Sequence, residues 1–584
     1  MSDFSSPDVR VRQISKGPLV LKGNSDTVGG FMGVASRGPV DTPTKVTSFK
    51  EAEELFGTFR DDSDLMYSLK DFFTAGGKFA YVSRVTGSSA AAAAISSSNG
   101  SGAIIDWDAS FVGTLANGWT IQTIRKSVVV AELPDGASLG TGAITSLALK
   151  NAGRVRVGDL VRVRSLDGAE TDTLTVTLTG VNIATNTVAF ASRAPTGAIT
   201  VDTPSDAVVD LFTFDVVLRD ASGVQIRTWK NLRMSALSSN YFATVINSTF
   251  RTPIVAAINS GGAAALDLRP TDGTVTLTAG VNPTIVDSSY IGGGSGTGTG
   301  LNAFDGITDM DMLSIPGVFG TDNAVVKAHL AHADLNRTYM AICEVPGGST
   351  RAEAITFATT EVNQYTSMAE GYWYPNIQVL DPLTGLTRYT SPCGYRQGVI
   401  AKTHRNRGTA KAAAGTVDGR ILGATGVEVN VSKADYDLLY PARVNAIRTI
   451  PGTGLCFMGN ITLDPDESII ESSVAFYLLK LRKDLEAGLQ WVGFELNNAK
   501  TRNAASRLVI SRLREDHRKG LLNGDRESEA FFVVCDETNN GPEIQAARKL
   551  VMRVGVNVTH TAEFGDITLE LDTRALDASL AQQG

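Results

Sequence analysis

Residues 136–210 are built from short alternating runs, and they sit inside a chain whose flanks follow a different period. The runs are Arg154-Val-Arg-Val-Gly-Asp-Leu-Val-Arg-Val-Arg164, Thr173-Leu-Thr-Val-Thr-Leu-Thr179 and Thr187-Val-Ala-Phe190. Alternation at period two sends successive side chains to opposite faces, as a half-buried strand requires. Runs this short and evenly spaced predict a small barrel or sandwich. The segment therefore reads as an inserted all-β domain.

The flanks mix helix and strand. A strand over 30–39 leads into Ser48 and a short helix. Leu65, Leu69, Phe72 and Phe73 then recur on one helical face that ends at Gly76-Gly77, and residues 79–85 alternate as a strand. The small residues of 87–102 read as a linker or surface loop, and 292–300 as a Gly-rich loop. From residue 301 the mixed pattern returns, with helices expected near 323–335, 352–364, 468–485, 501–518 and 541–551. Strands are expected at 312–316, 339–345, 491–495 and 530–535. This alternation predicts a mixed sheet covered by helices.

Lys plus Arg number 53 and Asp plus Glu 61, a net charge of −8, so the chain as a whole is not built to bind a polyanion. No window approaches the roughly 18 apolar residues of a membrane span. The first residues lack a signal-peptide core, so neither export nor membrane insertion is expected. Cys343, Cys393, Cys456 and Cys535 are too scattered for zinc or a disulfide framework.

Polar candidates for chemistry lack the company that chemistry needs. The 292–300 run never forms GxGxxG, and Gly76-Gly77-Lys78-Phe79 is not a P-loop. His329 and His332 are one turn apart without an HExxH context, and His404 is expected in a polar loop with no nucleophile beside it. Asp305, Asp309 and Asp311 bracket a turn, where capping is the usual task. No catalytic, cofactor-binding or metal-ligating residue is assigned, and the chain is not read as an enzyme.

Two features stand out instead. Lys500, Arg507, Arg514 and Arg518 form a cationic stripe opposite the apolar Ala505, Leu508, Val509 and Leu513, either a docking face or a solvated one. Near the ends, Val9-Arg10-Val11-Arg12 and Ile567, Leu569, Glu570, Leu571 and Asp572 alternate as strands outside the compact units. Gly23, Gly29, Gly30 and Gly565 would hinge them. Such arms either add to a sheet edge on another chain or pair within their own subunit. Arg10 and Arg12 could then face Glu570 and Asp572 across strands.

Read together, Gly30-Phe-Met-Gly-Val-Ala-Ser-Arg-Gly-Pro39, Leu55-Phe-Gly57, Phe72-Phe-Thr-Ala-Gly-Gly77 and Tyr81-Val-Ser-Arg84 resemble the opening of bacteriophage contractile tail sheath proteins. Ser391-Pro-Cys-Gly394, Val444-Asn-Ala-Ile-Arg448, Gly452-Thr-Gly454, Phe494-Glu-Leu-Asn497, Ala530-Phe-Phe-Val-Val-Cys-Asp536 and Ala562-Glu-Phe564 follow that family's order. The chain departs from the pattern at Met458-Gly459-Asn460, at Leu496 and at Ala413-Ala-Gly415, as a divergent member would.

Joined to the readings above, the resemblance implies an α+β multidomain fold with a mixed β-sheet core flanked by helices and built from both chain ends; the inserted β domain lies outside the family's shared core, and the terminal β-arms follow from the alternation at the ends. The corresponding division is 1–28 N-terminal arm, 29–86 first part of the core, 87–135 linker and mixed region, 136–210 inserted β domain, 211–300 mixed region with the Gly-rich loop, 301–565 main part of the core, and 566–584 C-terminal arm. It also implies a structural virion protein that stacks as hexameric rings around a tail tube and contracts to drive the tube through the host envelope. Its partners would be itself, the tube protein, and baseplate and tail terminator proteins, with no nucleic acid. It would be assembled in the host cytoplasm and reside in the virion tail. The stripe would face the tube. The alternative is a β-rich baseplate or adhesin component binding the host surface.

Overall fold

The computed structural model describes residues 26–563 apart from 167–172, 201–206, 250, 264, 283 and 295. Strand β1 (Gly29–Gly33) lies parallel to β3 (Ala80–Arg84), which pairs antiparallel with β2 (Thr44–Val46). Between them run α1 (Phe49–Phe56), N-capped by Ser48, and α2 (Leu65–Ala75), ended by Gly76. The first helix therefore starts, and the second stops, where its capping residue predicts.

The sheet does not end at β1. Phe31 bridges in parallel to Ser314, Met312–Leu313 pairs with Met340–Ala341, and Ala341 bridges to Ala369. Tyr372–Tyr374 then pairs with Val444–Ile450, which turns back antiparallel to Gly454–Phe457. Short strands from both halves of the chain thus form one mixed array. Its principal core gathers Met32, Tyr67, Met312, Tyr339, Trp373 and Phe457. The expected combination of mixed sheets and helices is present.

The remaining α-helices follow in order: α3 (Phe242–Asn247), α4 (Asp287–Ile291), α5 (Ala324–Asn336), α6 (Arg351–Thr356), α7 (Cys393–Arg407), α8 (Gly415–Asp418), α9 (Lys433–Leu439), α10 (Ser472–Leu489), α11 (Ala499–Arg518), α12 (Glu527–Ala530) and α13 (Pro542–Ala546). Helix α7 runs through the interior against α2. A Cβ at Gly394 would meet the Ser68 carbonyl oxygen at 2.2 Å, so the two backbones approach closer than any other residue permits. Among the described residues, no helix is long and apolar enough to cross a membrane.

The β insertion is larger than its alternating stretch. The segment read as a linker contains β4 (Ala92–Ser98), which pairs with β5 (Ala103–Val112). Alanine and serine carry little strand signal, yet Ala93 and Ser97 are buried and the Trp107 indole donates to Ser97 Oγ at 2.8 Å. β6 (Thr120–Glu132) and strand Ala207–Arg219 pair along most of their length. They join two apolar clusters, one around Trp107, Trp119 and Phe214, the other around Val163, Leu174 and Val209. Residues 136–210 hold most of the second cluster only.

A narrow neck attaches this unit to the core. Ala91 and Val281 bridge antiparallel, with the Val281 N–H donating to the Ala91 carbonyl at 3.0 Å. Beside the neck, buried Arg84 donates to the Gly38 carbonyl at 3.2 Å and to the Val112 carbonyl at 2.9 Å. Arg251 of the β unit pairs with Glu51 and Glu54 on α1 at 2.6 and 2.5 Å.

Candidate assembly surfaces

Helix α11 is amphipathic as its period requires. Asn498 caps it, its side chain accepting the Thr501 N–H at 3.0 Å. Ala505, Leu508, Val509 and Leu513 are buried, and Val509 and Leu513 share a core cluster with Tyr477 and Leu481 of α10 and with Leu522 and Phe531. Between the helices Asp516 is buried, taking the Tyr477 hydroxyl at 2.9 Å and the Arg512 guanidinium, which also reaches Asp484 at 3.2 Å. These pairings fix the azimuth of α11 and hence which side it turns outward.

On that outward side Lys500, Arg507 and Arg518 are exposed. Arg514 behaves differently: its guanidinium clasps Glu527 with two hydrogen bonds of 2.6 and 2.9 Å. The Arg514 hydrogen bonds hold the Glu527 carboxyl below its ordinary range. The stripe is thus three open cations plus one already engaged within the chain.

Next to α11, strands Phe531–Val534 and Arg553–Val556 form a two-stranded antiparallel sheet. Among the described residues no third strand pairs with either, so each presents one unpaired backbone edge. A two-stranded ribbon is marginal by itself, and an unpaired edge is a template for a further strand.

Val9, Arg10, Val11, Arg12, Gly23, Gly565, Ile567, Leu569, Glu570, Leu571 and Asp572 lie outside the described residues. Gly29 and Gly30 do not, and they are strand residues rather than hinges. Both are buried and pair with Ala80 and Tyr81. A Cβ at Gly30 would meet Met310 Sδ at 2.4 Å, so glycine serves close packing there instead of flexibility.

The N-terminal segment enters the fold through a buried polar anchor. The Val28 N–H donates to Asp311, the Asp26 carbonyl accepts from Lys480, and Thr27 Oγ1 lies 3.0 Å from His404 Nδ1. His404 sits within α7, not in a polar loop, and burial pushes its imidazole down to about 3. The other polar candidates are similarly tied into the framework. His332 bridges Asp305 at 2.9 Å and the Tyr339 hydroxyl at 2.8 Å, and Asp309 takes Lys45 at 2.7 Å and the Tyr81 hydroxyl at 2.9 Å. His329 is buried beside Cys343, 3.6 Å from its Sγ. The anchor went unseen in the sequence because its partners, at 26–28, 311, 404 and 480, share no local spacing. The one legible signal was Lys480 and Lys483 within the apolar run of α10.

The expected strand at 491–495 is absent: Gln490–Val492 form a 3-10 turn, and the residues after it project outward. Of the departures from the family pattern, Met458, Gly459, Asn460, Ala414 and Gly415 line a single cavity, and Leu496 stands in this exposed loop.

No protein-family model matches the chain. Over 327 residues it is 24% identical to the tail sheath protein of Vibrio phage KVP40, a match that takes in 50% of this chain and 47% of that protein. The chain thus spans about half the length of the curated relative it matches. In fold it is similar to the sheath complex of the extracellular contractile injection system PVC in its contracted state. That likeness has a TM-score of 0.52 at 12% identity and covers 98% of this chain and 100% of the other. The helical sheath of the anti-feeding prophage in its contracted state matches with a TM-score of 0.52 at 14% identity and the same coverage. The sheath tail protein of Desulfitobacterium hafniense does so with a TM-score of 0.52 at 12% identity, over 91% of this chain and 94% of that one. The resemblance to contractile tail sheath proteins read from the sequence is borne out.

Proposed function

We propose that this chain is the repeating subunit of a contractile sheath: a structural protein that polymerises helically around a tail tube and shortens to drive the tube through a cell envelope. The observation that carries this reading is a fold matched from end to end by proteins whose structures are helical sheaths, at 98% coverage of this chain and 100% of theirs. A sheath subunit must stay folded while its contacts change, and a well-packed array anchored to α10 suits rigid-body movement between two lattices.

In this reading the terminal arms exchange between neighbours and add strands to the open ribbon of 531–534 and 553–556, where main-chain hydrogen bonds supply affinity and alternating side chains supply register. The cations of α11 face an acidic tube surface. The subunits form hexameric rings stacked along the tail, bounded by baseplate and terminator proteins, and are assembled in the host cytoplasm. The β unit decorates the outside.

Electron microscopy of the purified full chain tests the proposal. Tubes with a central bore are the expected result. Compact trimers or monomers under all polymerising conditions would remove it in favour of a β-rich baseplate or adhesin component.

A further inference from the structure

The loop joining α10 to α11 presents Phe494 at 112% of its reference exposure and Leu496 at 75%. Phe494 also has φ +69°, a left-handed conformation that bulky side chains adopt only when surrounding structure imposes it. Nearby, the Trp491 indole N–H is buried without a hydrogen-bond partner among the described residues. Between the two apolar side chains stands Glu495, exposed and without an ion pair among the described residues. Strained backbone that holds two apolar side chains in water, with an acid between them, has the form of a knob lacking its socket.

A socket exists elsewhere in the same chain. A cavity of about 520 Å³ opens beside α8 and α9, its walls including Tyr436, Tyr440, Pro441 and Met458. Positive charge comes from Lys433, which has no anionic partner among the described residues, and from Arg448, whose Nε reaches only the Val431 carbonyl at 3.3 Å. Of the lining acids, Glu563 is held by the Tyr440 hydroxyl at 2.8 Å, leaving Asp437. The size suits two hydrophobic side chains, and the lysine suits the acid between them.

We infer that Phe494 and Leu496 of one copy seat in this cavity of a second copy, with Glu495 drawn to Lys433. The chain's own knob stands fully exposed, so a knob seated in this cavity comes from another molecule. Knob and socket are different surfaces, which makes the contact heterologous: it propagates from copy to copy instead of closing a two-fold dimer. The inference rests on the reading of the chain as a self-assembling sheath subunit and names one of its contacts.

The test uses the full-length chain and measures the critical concentration for pelletable polymer. Phe494→Ala with Leu496→Ala should raise it about tenfold or more at unchanged melting temperature, as truncating two contact anchors does. Glu495→Lys and Lys433→Glu should each weaken assembly, and the two together should restore it. Because all four native cysteines are buried, Leu496→Cys with Lys433→Cys should give intermolecular disulfide ladders on oxidation. Wild-type polymer with indifferent variants and no ladder would overturn this inference while leaving the sheath reading intact, and an intrachain disulfide would do the same. A wild type that never polymerises would take both down.

Discussion

Lys480 Nζ lies 2.8 Å from Asp311 Oδ2, a buried ion pair between residues 169 positions apart. Lys483 reaches the other carboxylate oxygen at 3.0 Å, and the Val28 N–H donates to the first at 2.9 Å. One carboxylate therefore compensates two ammonium groups and fixes the chain's entry into the sheet. Asp311→Asn leaves both lysines buried without a counter-charge and should cost about 3–5 kcal/mol, read as a fall in melting temperature. Burial pushes this carboxyl up, but the two ammonium groups and the hydrogen bonds more than offset it and leave it below its ordinary range. Its contribution is present above the unfolded value of about 4 and is lost as pH falls through the folded value. Wild type and Asp311→Asn should converge in stability only in strong acid.

Glu344 titrates in the opposite sense. Burial pushes its carboxyl up to about 7, against hydrogen bonds from Cys393, Ser391 and the Gly317 N–H. A raised folded value means a contribution fully present below the ordinary carboxyl range and lost as pH rises through about 7. Stability should therefore decline between about pH 5 and pH 7, by on the order of 3 kcal/mol in full. Denaturant titrations across that range should show Glu344→Gln flattening the decline; equal slopes in both proteins would refute it.

The neck predicts where the β unit can be removed. Bridged antiparallel residues have Cα atoms about 5 Å apart, so a one- or two-residue link from Ala91 to Val281 replaces residues 92–280 without moving the core. The excised protein should melt cooperatively and still polymerise. Cutting at 136–210 instead severs the strand Ala207–Arg219 and uncovers Leu133 and Leu211, so that variant should aggregate. Sedimentation of both proteins checks the contrast.

Charge reversal on the α11 stripe separates a docking face from a solvated one. Arg507→Glu with Arg518→Glu should weaken assembly on isolated tubes several-fold and make it less sensitive to salt, because the attraction being removed is a screened one. Tube-free polymerisation should be unchanged. Arg514→Glu adds loss of the Glu527 clasp and should lower the melting temperature slightly as well, since the pair is exposed and screened.

Much of the fold was legible where periodicity and caps agree. Leu65, Leu69 and Phe72 with Gly76, and Leu508, Val509 and Leu513 behind Asn498, lie in helices at the expected places. Elsewhere the signal was weak or misleading. β4 is alanine and serine, whose burial depends on Trp107 rather than on their own hydrophobicity. The alternation of Trp491 to Glu495 mimics a strand, but no neighbouring backbone in the described chain pairs with it. Gly29 and Gly30 read as flexible because a sequence does not show Met310 and Gln397 pressing on them. Of the candidate surfaces, the α11 stripe was readable, since a helical period carries its own geometry, and so was the strand Phe531–Val534 of the open ribbon. The long-range anchor and the cavity beside α9 depend on residues brought together by folding alone.

The arms yield the sharpest contrast in solution. Removing residues 1–22 or 566–584 should give folded monomers that melt within a few degrees of the full chain and fail to assemble, since a donated strand leaves its own core intact. If each strand completes its own subunit, removal instead uncovers an edge, and melting temperature should drop sharply with aggregation. Calorimetry and sedimentation velocity of the two truncations decide between these outcomes.

The placement of β1 sets how the subunit bears mechanical load. It is flanked by β3, in register from Gly29 with Ala80 to Gly33 with Arg84, and on its other side by Ser314, which exchanges 3.0 Å hydrogen bonds with Gly30 and Met32. A pull along the strand toward the N-terminus meets these bonds crosswise, so they share the strain and must rupture together, whereas a strand at a sheet edge peels away one bond at a time. Just ahead of them, Val28 is lashed to Asp311 and through it to α10. Tension arriving at this end is therefore carried as shear into the whole body, which is hauled before it unravels.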